Sequence, residues 1–515
     1  MTAGQANLLA WPRARWFHWM LLALLLAAGA AIRWDHIDQQ SLWIDEYSTL
    51  YLATGRGIQL FEIPRGVILD HPPNVGFAGA PAWWHIWTGI LYTTHPPLYY
   101  LALRTCVDLF GDSDRAIRAM SAVFSLAGIA VLFSLVRRLR GPGAGLIAAG
   151  IMAFAPLQID YSQTVRPYTM LVFFSLLFCH ALISIQFQGL TRKRTVLLGG
   201  SVMVMALTHY FSAGAILGAI VYIALRFTGK TRRTALVAIS AGLLLAALIW
   251  GPVVWKIGGS FKGFQEFART TGNRVDSISQ AIITAPAQIL LEPGGTWSSL
   301  QSLPLAVLIY IAPLFLSRRS PEMLLWWLWI VGTIGLLLAV DLLRGTTVIG
   351  VIRYSFILFP AIFIILATLL PGSRLGRFVS FAALLCVAIY GLDRFQVGPA
   401  PTQDWRTLTR LTDRSTDPRD IIALTGSYDF EPGFDYVVMS HYLGSWTRPV
   451  IFLTDRPSKI VMRQLAARGR VWIIGGDPDA QSRQLFPGWS PANEHGAGIG
   501  NLLWAVTPPS SAKEN

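Results

Sequence analysis

The stretch Trp16–Ile32, WFHWMLLALLLAAGAAI, leads through Arg33 to Ser41-Leu42-Trp43-Ile44-Asp45-Glu46-Tyr47. It decides the fold. A run of this kind comes close to the roughly 20 apolar residues that cross about 30 Å of hydrocarbon. Arg13 and Arg15 precede it and hold the N-terminus in the cytoplasm. No convincing cleavage site follows, so it reads as a retained span rather than a removed signal peptide. The two carboxylates then fall just beyond a membrane surface, in a chain that otherwise avoids charge.

The composition repeats the message. Of 515 residues 53% are hydrophobic and only 14% charged, and the mean hydropathy is +0.49. That is the profile of a polytopic membrane protein. The formal charge of +14 sits largely in short runs between apolar stretches, where it sets topology and holds anionic lipid. It does not point to nucleic acid. Cys106, Cys179 and Cys386 lie in apolar stretches and build neither a disulfide framework nor a metal spacing.

Counting Lys and Arg in the loops predicts about eleven spans. Span two is Ile117–Leu135, span three Ala144–Leu157 and span four Met170–Ile185. Spans five and six flank His209-Tyr210. Span seven is Leu236–Val254, and an outer loop follows near Lys256–Gly295. Span eight ends at Arg318-Arg319, and spans nine to eleven are Leu324–Leu343, Phe356–Leu370 and Val379–Leu392. The basic clusters at 137–140, 192–194, 230–233 and 318–319 then face the cytoplasm. Histidines, carboxylates and loop aromatics collect on the other side. Leu98–Phe110 is apolar but short, and reads as an interfacial helix in the first outer loop. No internal repeat is evident, which argues against a transporter.

After Asp393 the composition turns polar. Strand-like Ile421–Leu424, Val450–Leu453 and Val471–Ile474 alternate with the helical Lys459–Arg468, which suggests an outer α/β domain of about 110 residues. The expected organisation is a transmembrane catalytic domain at 1–394, the small domain at 395–507 and a disordered tail at 508–515.

Five motifs carry the chemistry, each with a plainer reading beside it. Asp45-Glu46 reads as a general base with its neighbour, or as acidic residues capping a helix start. Trp43 and Tyr47 beside them suit a sugar face. His95-Pro96-Pro97-Leu98-Tyr99 is a helix entry in which the prolines do not explain His95. Arg166-Pro167-Tyr168 offers an arginine that either snorkels or meets Asp160 or a phosphate. His209-Tyr210 stands between two spans, where a lone histidine is commonly a core residue. Arg353-Tyr354 opens span ten with a guanidinium fork suited to phosphate.

Taken in order, Trp43-Ile44-Asp45-Glu46, His95-Pro96-Pro97-Leu98-Tyr99, Arg166-Pro167-Tyr168, Thr208-His209-Tyr210 and Arg353-Tyr354 through Pro360 resemble the bacterial GT-C sugar transferases. That group includes the protein O-mannosyltransferase-like, lipid A aminoarabinose transferase and rhizobial lipopolysaccharide-core transferase branches. Asp404-Trp405-Arg406 fits the same group. The resemblance implies glycosyl transfer from a polyprenyl-phosphate sugar to a lipid, glycan or protein acceptor hydroxyl, at the outer face of a bacterial plasma membrane. It implies Asp45 as base, Glu46 beside it in the acceptor site, and Arg353, with Arg166, on the donor phosphate. Trp43, Tyr47, His95, Tyr99, Tyr168, His209, Tyr210 and Tyr354 are candidate substrate contacts. Some branches carry an acid where this chain has Arg166, so a metal role attached to that acid does not transfer. No cofactor is certain, and a divalent metal stays open. The alternatives are a flippase for lipid-linked sugars and an envelope polysaccharide polymerase or ligase.

Overall fold

The computed structural model describes residues 15–60, 62–90, 95–257, 274–291, 298–317, 320–369, 385, 387–389, 404–417, 419–426, 432–444, 446, 448–475, 484–496 and 502–508. The chain divides into two compact units, one of Met1–Ile37, Thr93–Tyr99 and Ile117–Pro399, the other of Asp38–Tyr92, Tyr100–Ala116 and Ala400–Asn515.

The first unit is helical. Its elements are α1 (Trp16–Trp34), α5 (starting at Asp114 and ending at Arg140), α6 (Pro142–Phe154), α7 (Pro156–Ser162), α8 (Tyr168–Gln188) and α9 (Arg192–Thr208). They continue as α10 (Ser212–Arg226), α11 (Gly229–Ile257), α12 (Arg274–Leu290), α13 (Ser299–Tyr310), α14 (Ala312–Leu316), α15 (Met323–Arg344) and α16 (Phe359–Leu369). Among the described residues, five helices are long and apolar enough to span a membrane, namely α1, α5, α8, α11 and α15; the bent pair α6–α7 makes a sixth. That count, made over the described residues alone, does not confirm the eleven spans expected from the sequence. Spans six, eight and ten fall on shorter apolar helices, and span eleven lies almost wholly outside the described residues. Span three is interrupted at Ala155-Pro156, where the axis turns by 60°, because Pro156 supplies no N–H to the preceding turn.

Where lipid provides no hydrophobic drive between helices, close backbone approach does the packing. At the crossing of α10 and α15 a Cβ on Gly214 would collide with the Gly332 carbonyl, and one on Gly218 with the Leu328 carbonyl. The Gly214-xxx-Gly218 spacing thus sets that contact. The stretch read as an outer loop contains α12, whose Ile278 and Ile282 pack on Leu337, Val348, Ile349 and Tyr354.

The second unit gathers chain from three places. A six-stranded sheet runs in the order β1-β3-β2-β4-β6-β5. The strands β2 (Ile421–Leu424), β3 (Val450–Phe452) and β4 (Val471–Gly475) are parallel. The two edges, β1 (Ile68–Leu69) on β3 and β6 (Leu502–Thr507) with β5 (Ser490–Gly496), are antiparallel. β2, β3 and β4 are buried throughout, as expected for parallel strands covered on both faces. β1 comes from the first long loop, so this unit extends beyond residues 395–507. Asp114 fastens the pieces together: its carboxylate meets Arg406 Nη2 at 2.5 Å, His441 Nε2 at 2.8 Å and the Tyr442 hydroxyl at 3.1 Å.

Candidate functional site

In the second unit, α2 (Ile44–Ala53) starts directly on the acidic pair. Glu46 is 1% exposed, and its Oε2 accepts the Trp43 backbone N–H at 3.3 Å. That is one half of a capping box; an indole, which only donates, cannot supply the other half. Asp45 is half-buried and its carbonyl accepts the Thr49 hydroxyl at 2.6 Å. Tyr47, 2% exposed, is not an open wall for a sugar: it packs edge-on against Trp405 and against Phe434. Trp43 is half-buried. Ser41 Oγ accepts the Arg406 N–H at 3.0 Å, and Tyr442 accepts the Leu42 N–H at 2.7 Å.

The first unit brings His95, Arg166, Tyr168, His209, Arg353 and Tyr354 together. Arg166 Nη2 lies 3.3 Å from His95 Nε2. A guanidinium only donates, so this imidazole nitrogen accepts and His95 is neutral. Burial, and then the charge of Arg166, push the His95 pKa well below its ordinary value. The His95 and His209 rings lie 5.4 Å apart. Tyr168 is 5.9 Å and Tyr354 6.2 Å from His209. Arg166 lies 5.8 Å from the Tyr168 ring, and Arg353 5.5 Å from that of Tyr354, both within cation–π range. His209 Nδ1 accepts the Phe211 N–H at 3.3 Å, so the neutral ring carries its proton on Nε2. That N–H and the Tyr168 hydroxyl are buried and meet no hydrogen-bond partner among the described residues.

Local structure explains these placements. Pro96-Pro97 precede the helix α4 (Leu98–Phe110), in which Tyr99 is 1% exposed and bonded to Ser121 at 3.2 Å; Tyr99 is a core residue. Arg353 and Tyr354 lie on a 3-10 turn, Ile352–Leu358, ahead of α16. The approach to that turn is organised by Asp341, which the sequence reading passed over. Fully buried, it accepts the Thr346 hydroxyl at 2.7 Å, the Val348 N–H at 2.6 Å and the Ile349 N–H at 3.0 Å. Tyr210 turns away from the cluster's polar groups to accept Trp250 Nε1–H at 2.7 Å. Both line an apolar groove of about 680 Å³, with Leu207, Leu243, Ala247 and Val254. Among the described residues no three His, Cys, Asp or Glu side chains gather as metal ligands would.

A helical unit with several helices long and apolar enough to span a membrane, holding a buried arginine–histidine–tyrosine cluster, can be compared with solved structures for its fold. ArnT from Cupriavidus metallidurans in the apo state superposes with a TM-score of 0.57 at 13% identity, covering 96% of this chain and 98% of that one. ArnT bound to undecaprenyl phosphate gives 0.55 at 15% identity, covering 97% and 100%. The Archaeoglobus fulgidus oligosaccharyltransferase with zinc and sulfate gives 0.51 at 12%, covering 94% and 72%. Residues 94–255 match the dolichyl-phosphate-mannose-protein mannosyltransferase family. Curated proteins include no match by sequence. The chain thus shares its fold with these membrane proteins, and a part of it, residues 94–255, is similar to that mannosyltransferase family.

Proposed function

We propose that this protein transfers a sugar from a polyprenyl-phosphate carrier to an acceptor hydroxyl at the outer face of a bacterial plasma membrane. The observation that carries the proposal is the donor set in the first unit. Arg166 lies against the Tyr168 ring and Arg353 against that of Tyr354, and in the same cluster two donors, His209 Nε2–H and the Tyr168 hydroxyl, are buried and find no partner among the described residues. A desolvated donor left unmade is costly; the oxygens of a phosphate are acceptors of the kind these two donors lack, and arginines beside them favour its charge. Tyr210 joins this cluster in sequence to the apolar groove, whose chemistry suits a polyprenyl chain. ArnT, of like fold, has been solved with undecaprenyl phosphate.

In the reaction Asp45 takes the acceptor's proton as its oxygen attacks the anomeric carbon, and the lipid phosphate departs with inversion at that carbon. Arg353 and Arg166 offset the charge that develops on the leaving phosphate. The decisive experiment titrates undecaprenyl phosphate against purified protein. Arg353→Ala is expected to weaken binding by about tenfold to a hundredfold, the cost of a charge-assisted contact of roughly 1.5–3 kcal/mol. Lys restores charge but not the fork and recovers part of it. Wild-type binding in both variants would remove Arg353 from the phosphate site. Mass spectrometry of envelope lipids and glycans with and without the gene then identifies sugar and acceptor.

A further inference from the structure

Arg33 closes an otherwise apolar span and is fully buried, yet among the described residues its hydrogen bonds go only to neutral groups. Nε donates to Ser125 Oγ at 2.9 Å, Nη1 to Gly29 O at 3.2 Å and Ala153 O at 2.9 Å, and Nη2 to Met152 O at 3.2 Å. A buried cation without a counter-ion is costly, so the acceptors it meets are informative. Met152 O and Ala153 O are the carbonyls that a continuous helix would satisfy from residues 156 and 157. Pro156 has no N–H, and beyond the 60° bend the helical bonds restart on Ala155 O, from Gln158 at 2.9 Å and Ile159 at 3.1 Å. The guanidinium stands in for the donors the break removes.

The other end of the short helix mirrors this. Gln163, just past α7, donates from Nε2 to Ile32 O at 3.2 Å, Arg33 O at 3.3 Å and Asp35 O at 2.9 Å. Those are carbonyls at the end of α1, which its own turns leave open. Thus α1 caps the break before α7, and the residue after α7 caps α1.

We propose that Arg33 and Gln163 form a reciprocal clamp that fixes the broken span against α1, and that Arg33 is thereby a positioning residue for Arg166, which follows Gln163 in the same turn. The clamp stands on these bonds alone; its consequence for donor binding rests on the phosphate reading of Arg166. Nearly all of the guanidinium's five donors are committed to the clamp, so Arg33 is a strut and not part of an anion site.

Hydrogen–deuterium exchange of the full chain tests this. Arg33→Met and Gln163→Leu should each raise exchange in residues 156–168 about tenfold or more, the effect of losing buried bonds to a charged or amide donor. The interiors of α8 and α15 should keep wild-type exchange, which a general fold stabiliser would not allow. Pro156→Ala restores a donor for Met152 O, so Arg33→Met should cost less in that background. Arg33→Lys, which keeps charge but lacks the fork, keeps the test available if the Met variant fails to fold; it should show the same local rise. Undecaprenyl phosphate binding should weaken in step with the exchange. Unchanged exchange at 156–168 in both the Arg33 and Gln163 variants, or an equal rise everywhere, overturns the clamp. Failure of the wild type to bind undecaprenyl phosphate removes the phosphate reading, while the exchange data still decide the clamp.

Discussion

Asp45 and Glu46 are neighbours in different environments. The Glu46 carboxylate is buried on the Trp43 N–H, so Glu46→Leu should destabilise the protein by about 1 kcal/mol, the usual cost of a lost cap. Thermal unfolding reads that directly. Asp45 is half-buried, and Asp45→Asn should leave unfolding unchanged while lowering transfer by about 10²–10⁴-fold, the contribution of a general base. Near-normal turnover would take Asp45 out of the mechanism. Asp341 is the third residue to probe. Both its oxygens accept backbone N–H groups, and an amide would turn an N–H toward one of those donors. Asp341→Asn should cost roughly 1.5–3 kcal/mol and weaken undecaprenyl phosphate binding as sharply as Arg353→Ala, because the turn it organises leads to Arg353.

At the scale of elements, glycine spacing and proline breaks govern the bundle. A leucine at Gly332 would push its Cβ into the Gly214 carbonyl. Such overpacking costs about 1–3 kcal/mol or more, and Gly332→Leu should lower the unfolding temperature while Gly335→Leu, with open space at its Cβ, should not. Equal effects at both positions would refute the crossing's dependence on small residues. Pro156 was visible in the sequence as a residue that a span tolerates poorly. What makes the break stable, a guanidinium from α1, was not. The helix α12 was missed because its apolar residues fill one face only and are too few to read as a span within a stretch taken for a loop; that face, with Ile278 and Ile282, packs in the tertiary contact with the turn before Arg353.

For the whole molecule, loop charge predicts orientation. Cysteines introduced at 193 or within 230–233 should resist an impermeant thiol reagent applied from outside, and labelling at 193 would invert the map. Apolar runs were legible from sequence alone because hydrocarbon leaves the backbone no partner but itself, so each crossing must be a helix of fixed length. The motifs His95, Arg166-Pro167-Tyr168, His209 and Arg353-Tyr354 were legible as residues, and their order pointed to a family. Their convergence on one buried cluster was decided by packing between helices far apart in sequence. So were the burial of Tyr47 and Tyr99, which sequence offers equally to a substrate or a core. The pairing of Ile68-Leu69 with β3 was likewise settled only in three dimensions. Periodicity reports what one segment wants from its own surroundings; which distant segment satisfies a freed carbonyl, a lone cation or an open strand edge is fixed only when the chain closes on itself.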